Sequence, residues 1–399
     1  MQQNLYRSAY LWIVFGCIFV GAVHDYMSGM ISLRKEGASL PEFVGDELGS
    51  SIRVFMRILT LVLLVMVGAV FVTTPATVLS EFTSSSGILG SSTFWCIVIF
   101  VYYILATLLP IDALIGRIYP FFGVALLIMA VSVCVGIFTQ EGSMPEITDA
   151  FQNHHPKGLP IFPFLFITIA CGAVSGFHGT QTPMMARCLK NEKYARIAFY
   201  GAMIAEGLVA LIWAAATIKF CDSNYDQLAS YSNPAQVVNL ICNTWMGKVG
   251  AALAILGVVA APITSGDTVF RSARLITADF LHIPQNKVWK RLIVSLPLFL
   301  ISSVLMMINF DVLWRYFGWI NQLLALFTLW AITFYLYRQG KCFYISLIPA
   351  LFMTSVCSTY ILLAPEGFAL PTTVGYIIGL TFAVVLSIIV IVYMRKRRL

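Results

Sequence analysis

Long apolar runs separated by short polar stretches dominate the chain. Cut at charges, prolines and turn residues, the runs fall at about 9–33, 54–78, 93–116, 119–138, 160–187, 195–218, 245–273, 288–308, 312–337, 342–364 and 371–394. Each is close to the ~20 residues an α-helix needs to cross a bilayer. The pattern predicts an all-α polytopic membrane protein with about eleven transmembrane helices, forming one transmembrane domain over 1–399. Only the Arg117–Pro120 turn separates the third run from the fourth. The first run lacks the basic flank and small-residue cleavage site of a signal peptide.

Composition narrows the class further. Of 399 residues, 59% are hydrophobic and 11% charged, where a soluble domain carries about a quarter charged residues. A water-soluble globular protein is excluded, and so is a disordered chain, which would be polar and charge-rich. The net charge of +7 would point to nucleic acid in a soluble protein. Here its placement follows the positive-inside bias, with no nucleic-acid partner implied. If Arg395, Lys396, Arg397 and Arg398 are cytoplasmic, alternation puts 19 Lys and Arg inside and 5 outside, with Arg57 left within a span. That asymmetry supports the helix count and predicts a multi-pass plasma-membrane protein with a cytoplasmic C-terminus. An odd helix count also puts residue 1 outside, which points to one or more helices upstream. The nine cysteines have no CxxC spacing and read as small hydrophobes.

The run at 160–187 carries the densest chemistry. After an apolar first half come Gly172, Ser175, Gly176, His178, Gly179, Thr180, Gln181, Thr182 and Pro183. Backbone groups freed by Gly and Pro in hydrocarbon must be satisfied by protein or water. Transporters use such broken helices to expose backbone ends to substrate. The sequence therefore predicts a break with non-helical backbone near Ser175–Gly179. The competing reading is a packing face, since Gly172 and Gly176 form GxxxG. Packing accounts for the glycines but not for His178, Thr180 and Gln181.

Four other places carry polar groups inside apolar runs. Thr264, Ser265 and Thr268 share roughly one helical face with Pro262 and Arg271. Oxygen ligands suit a hard cation, which makes Thr264 and Ser265 a candidate Na+ site, and Asp267 a candidate proton carrier. The plainer alternative has the hydroxyls bonding back to their own helix and Asp267 paired with Arg271 at i,i+4. His24 and Asp25 form an ionisable pair near the inner end of the first run, either functional or a solvated terminus. Glu206 stands in the centre of an apolar helix, as proton carrier or as partner to a basic residue. Asp112 reads as a helix-end charge near Arg117.

Motifs of other classes are absent. There is no P-loop, no GxGxxG and no HExxH. No helix repeats Arg every third residue, and no TVGYG-like filter occurs. His154 and His155 lie in a polar loop and read as solvated. No enzyme and no cofactor are expected.

The stretches LWIVFGCIFVGAVHDYMSGMISLR, GASLPEFVGDELG, LPIDALIGRIYPFFG, SGFHGTQTPMMARCLKNEKYARIAFYGAMIAEG, APITSGDTVFRSAR and LWRYFGWINQ run in order from residue 11 to about 322. Together they resemble the carbon starvation protein A family of bacterial inner-membrane transporters, implicated in uptake of peptides or pyruvate during carbon limitation. The resemblance implies the inverted-repeat architecture of amino acid–polyamine–organocation (LeuT-like) transporters. On that layout residues 1–158 hold the remainder of the first repeat, 159–308 the second, and 309–399 additional C-terminal helices. The 160–187 run becomes the second broken helix. The first, which precedes the present start in family members, is expected to be missing.

The function expected is a secondary active transporter importing peptides or small carboxylates. An anionic substrate group would meet the backbone at Ser175, Gly176, Gly179 and Thr180, with His178 and Gln181 adding side-chain hydrogen bonds. Coupling would use H+ through His178, Glu206, Asp267 or the His24–Asp25 pair, or Na+ through Thr264 and Ser265. The alternatives are a membrane sensor or scaffold without transport, or an inactive truncated fragment.

Overall fold

The structure, a computed structural model, describes residues 7–84, 87–108, 119–142, 144, 158–229 and 234–396. Asp112, Arg117, His154, His155, Arg397 and Arg398 lie outside the described residues.

Within the described residues, each of the eleven apolar runs coincides with helical segments. They are α1 (Arg7–Gly16) continuing through a π-helical turn (Cys17–Gly21) into α2 (Ala22–Arg34), α4 (Ser50–Phe82), α5 (Ser92–Leu108), α6 (Tyr119–Thr139), the pair α7 (Ile161–Thr168) and α8 (Gly176–Cys188), α9 (Ala202–Ala229), α11 (Ala260–Phe280), α12 (Val288–Leu305), α13 (Phe310–Arg338), α14 (Tyr344–Leu363) and α15 (Thr372–Lys396). Eight described helices are long and apolar enough to cross a membrane, and Ser92–Ala106 is a shorter apolar one. Rows of large apolar side chains lie exposed along several of them, among them Phe15, Phe19, Val131, Phe138, Val384 and Ile388. Such rows suit a surface solvated by lipid rather than water.

Two helices were not expected from the runs. The first, α3 (Leu40–Leu48), follows Ser39 in extended conformation, has Pro at its start and stops at Gly49, whose φ of 113° ends the helix. Its Glu42, Asp46 and Glu47 meet a basic collar. Lys35 Nζ lies 2.9 Å from Asp46 and 3.2 Å from Glu47, Arg53 lies 2.6 Å from Asp46, Arg57 pairs with Glu42, and Arg338 lies 3.3 Å from Glu47. Arg57, placed within a span and left out of the charge count, thus has a carboxylate partner. The second is α10 (Pro234–Ala254), which precedes the expected start at 245 and bends at Gly247 (φ 57°).

The chain divides into two compact units. One takes its residues from Met1–Leu63, Glu146–Leu211 and Arg315–Leu399, the other from Leu64–Pro145 and Ile212–Trp314. In the first unit, Trp12, Val174, Leu329, Trp330, Phe334, Met353 and Tyr360 belong to one buried cluster. The Trp12 ring packs edge-on to Phe166 with centroids 4.8 Å apart. In the second unit, Phe270 packs among Tyr103, Phe100 and Phe299. A further cluster there joins Met129, Val133, Phe220 and Ile241.

Candidate functional site

The helix at 160–187 is broken, one turn earlier than the sequence predicts. α7 ends at Thr168, residues 169–175 are non-helical, and α8 begins at Gly176. Gly176 and Gly179 therefore belong to the first turn of a helix rather than to the gap. The reason lies in the neighbours that satisfy the freed backbone. Trp12 Nε1 donates to the Ile169 carbonyl (3.0 Å), and Gln322 Nε2 donates to the Val174 carbonyl (3.2 Å). The Phe177 N–H donates to Asn321 Oδ1 (2.7 Å), and Ser175 Oγ donates to the same oxygen (3.4 Å). The glycines permit close approach instead. A Cβ on Gly176 would strike the Asn321 carbonyl oxygen and come within 2.7 Å of the Ala325 backbone nitrogen. The packing reading is also met at Gly172, whose Cβ would lie 2.7 Å from Ala210 Cβ. The break and the packing face are one feature.

Beside the break runs a chain of ionisable side chains from three helices of the first unit. Asp25 on α2 takes both imidazoles. His24 Nδ1 lies 2.8 Å from its Oδ1, and His178 Nδ1 lies 2.8 Å from its Oδ2. The other ring nitrogen of His178, Nε2, lies 3.0 Å from Glu206 Oε2 on α9. Side-chain exposure falls along the series, from 39% at Glu206 to 20% at His178, 6% at Asp25 and 0% at His24. The pair His24–Asp25 is thus no solvated terminus. Glu206 is partly exposed, and the basic residue it meets is His178.

The remaining residues of the predicted site stay close to their own backbone. Thr180 Oγ1 donates to the Phe177 carbonyl (2.6 Å), and Gln181 Nε2 donates to Thr180 Oγ1 (2.9 Å). Thr182 Oγ1 donates to the Gly179 carbonyl (3.1 Å) and approaches Ser28 Oγ (3.4 Å), which helps α8 pack along α2.

Thr264, Ser265 and Asp267 belong to the second unit, on the unbroken helix α11. The Thr264 hydroxyl donates to the Ala261 carbonyl and the Thr268 hydroxyl to the Ser265 carbonyl. Asp267 is buried and lies 3.4 Å from Arg271, whose Nη2 also donates to the Ala106 carbonyl (3.0 Å). Thr264 and Ser265 are half-buried. Among the described residues no group of three His, Cys, Asp or Glu converges as a metal-ligand set.

Sequence reasoning assigned no role to Asn321 and Gln322, although adjacent amides within an apolar run were a visible signal. It also missed three π-helical segments, Cys17–Gly21, Arg196–Gly201 and Ile255–Val259. The first shortly precedes His24 and Asp25, the second Glu206, and the third Thr264. Such segments occur often at functional sites, but periodicity alone does not reveal them.

The profile described as "Carbon starvation protein CstA" matches residues 3–90, 76–249 and 233–360. The chain belongs to the carbon starvation protein CstA family. Within and around that family, an uncharacterized membrane protein of Haemophilus influenzae is 43% identical over 262 residues, 54% of this chain and 71% of that protein. The pyruvate/proton symporter BtsT of Escherichia coli is 30% identical over 53% of this chain, and the peptide transporter CstA of Campylobacter jejuni 28% over 53%. The matched parts span 37% and 38% of those two relatives. Among solved structures, the crystal structure of an Eremococcus coleocola manganese transporter aligns with 99% of this chain and 94% of that one, at a TM-score of 0.51 and 12% identity. At that identity the likeness speaks to the fold alone, an all-helical membrane-transporter fold. Family, fold and the transporter names agree with the expectation of a multi-pass membrane transporter rather than an enzyme.

Proposed function

We propose that this chain carries the coupling core of a bacterial inner-membrane secondary transporter. Protons passing along Glu206, His178 and Asp25 would drive import of a small carboxylate or peptide, with the C-terminus in the cytoplasm. The observation that carries this reading is the imidazole of His178 held between two carboxylates beside a broken helix. A neutral imidazole donates at one ring nitrogen and accepts at the other; an imidazolium donates at both. Gaining or losing one proton at His178 therefore changes which carboxylate is held. α8 is bound to α2 and α9 through that ring, so protonation and helix contacts are linked. Ionisable groups inside membrane helices commonly serve such relays.

Sodium coupling through Thr264 and Ser265 has less support. Asp267, the carboxylate on the same helix, already has an intrahelical cation. The peptide and pyruvate names of the relatives support the substrate class without choosing within it.

The test is accumulation of labelled pyruvate and of a labelled dipeptide in proteoliposomes of residues 1–399. An acid-outside gradient should drive uptake of one of them, a protonophore should collapse it, and an imposed sodium gradient should add nothing. Sodium-driven uptake that ignores the protonophore would defeat the coupling assignment. Binding without uptake under any gradient would favour a sensor.

A further inference from the structure

The turn between α11 and α12 carries two lysines that no carboxylate meets. From Phe280 to Phe310 the sequence holds His282, Lys287, Lys290 and Arg291 but no Asp or Glu. The preceding acid, Asp279, stands on the last turn of α11. Basic side chains at other helix ends are matched. Lys35, Arg53, Arg57 and Arg338 meet the acids of α3, and Arg34 meets Glu192. Among the described residues neither Lys287 nor Lys290 has such a partner. The turn itself is well tied. The Ile283 N–H donates to the Ala278 carbonyl (2.9 Å), and Arg291 Nε donates to the Gln285 carbonyl (2.8 Å), which holds the first turn of α12 against the loop.

Below the charge, α12 presents apolar surface. Trp289, Ile293, Leu296, Leu300 and Val304 are all exposed. Their spacing of three or four residues sets them in one stripe along the helix. Its 18 residues, at 1.5 Å each, make α12 about 27 Å long, close to the ~30 Å hydrocarbon core of a bilayer. Trp289, at 56% exposure, therefore closes the stripe at the depth where tryptophan collects in membrane proteins. Lys290 Nζ lies 5.9 Å from the centre of that ring. A lysine so placed lays its alkyl stem on the apolar end and turns its ammonium to the headgroups.

We propose that this turn and the stripe below it bind an anionic phospholipid. Lys287 and Lys290 hold the phosphate, and an acyl chain lies along Trp289, Ile293, Leu296 and Leu300. Lysines at the membrane surface are drawn to anionic headgroups. A zwitterionic headgroup brings a cation of its own to the same lysines, which offsets the attraction. A soluble phosphate ester has the charge but nothing to lay on the stripe. Charge and apolar surface together thus select a lipid, and an anionic one. The residues involved all belong to the second unit and none to the chain of His178, so the binding is independent of the coupling reading.

Native mass spectrometry of purified residues 1–399 reads the binding directly. The protein is titrated in detergent with phosphatidylglycerol or with phosphatidylcholine of the same acyl chains. Phosphatidylglycerol should bind at least about fivefold tighter. Lys287→Gln with Lys290→Gln should remove that preference, and Lys287→Arg with Lys290→Arg, which keeps the charge, should retain it. Trp289→Ala should weaken both lipids at least about twofold, since it shortens the stripe they share. Lys190→Gln with Lys193→Gln takes the same charge from exposed positions on either side of Glu192, and should leave phosphatidylglycerol binding within about twofold of wild type. None of these side chains is buried, so the variants should fold. Equal binding of the two lipids, or an equal loss in the two Lys→Gln pairs, would overturn the proposal by showing no selection or only a response to overall charge. Glycerol phosphate that displaces the lipid at the lipid's own binding concentration would overturn it too, since the site would then take phosphate without a chain.

Discussion

In the 161–188 segment and in α11, glycine, proline, hydroxyl and ionisable residues interrupt an apolar run in much the same way, yet one helix breaks and the other does not. The difference lies in where the polar groups find partners. On α11, Asp267 meets Arg271 one turn on, and the Thr264 and Thr268 hydroxyls meet carbonyls one turn back. Those contacts fall at i±3 and i±4 on the helix itself, the spacing at which helix side chains face one another, and Arg271 reaches in addition to the Ala106 carbonyl of α5. Around α8, His178 has no counter-charge on its own helix and takes Asp25 from α2 and Glu206 from α9. The freed backbone at 169–177 is likewise capped by Trp12, Asn321 and Gln322 from other helices. A polar cluster whose charge pair and hydroxyls find partners within one turn leaves its helix intact. One whose groups find none there is joined to its neighbours, and whatever moves its proton also acts on helix packing.

The largest expected effect tests the self-contained side. Arg271→Ala leaves the Asp267 carboxylate buried without its guanidinium. Removing one partner of a buried pair costs about 3–5 kcal/mol. Thermal unfolding in detergent should show this loss, and the double variant with Asp267→Asn should recover much of it. An unchanged melting temperature for Arg271→Ala would mean that the pair is not what holds α11 together.

The interhelical side should respond in function more than in folding. Asp25→Asn keeps the shape and one acceptor oxygen but removes the charge that both imidazoles face. Proton-driven uptake should fall about 100-fold, the scale of losing a positioned proton-transfer group, with protein in the membrane near wild-type amounts. Asp267→Asn, scored in the same assay, should retain most of its uptake. Equal losses in the two variants would erase the contrast between the clusters.

Next comes the packing that holds the break. Gly176→Ala sets a Cβ against the backbone of Asn321 and Ala325, which has no flexible end to yield. Overpacking of this kind costs about 1–3 kcal/mol, and it should also separate the Phe177 N–H from its Asn321 cap. A melting temperature equal to wild type would show that α8 and α13 can part without loss, and would weaken the account of why the break sits at 169–175.

Much of this fold was legible because the bilayer imposes a length and a polarity on every span. Within the described residues all eleven runs hold helices, and the break in the fifth followed from Gly, Pro and polar residues that lipid would not tolerate. What stayed hidden depended on partners distant in sequence. The register of the break is set by Trp12, Asn321 and Gln322, more than 140 residues from the carbonyl or N–H that each one meets. The role of Arg57 depends on α3, a nine-residue helix too short to announce itself by periodicity. His24, Asp25, His178 and Glu206 could each be named as an isolated ionisable group in an apolar run. Their union could not, since nothing in local spacing says that α2, α8 and α9 share a face.

The smallest expected effect is the most useful for choosing the coupling ion. Thr264→Ala with Ser265→Ala removes two hydroxyls from α11. In the structure the Thr264 hydroxyl donates to Ala261 on its own helix, a bond of a type that contributes about 0.5–1.5 kcal/mol. Backbone carbonyls of a helix keep their i→i+4 partners when such a side chain is truncated, so the helix should persist. If protons alone do the coupling, uptake by the double variant should stay within about twofold of wild type, in keeping with the small effects of substitutions that break no buried network. Uptake should also show no sodium dependence before or after the change. A Na+ held by these oxygens predicts something different: uptake that depends on sodium in the wild type and loses that dependence in the double variant, while the melting temperature barely moves. Because the two substitutions perturb folding so little, a large change in uptake would have to come from a lost ligand, and the α11 cluster would then join the α8 cluster as a working site.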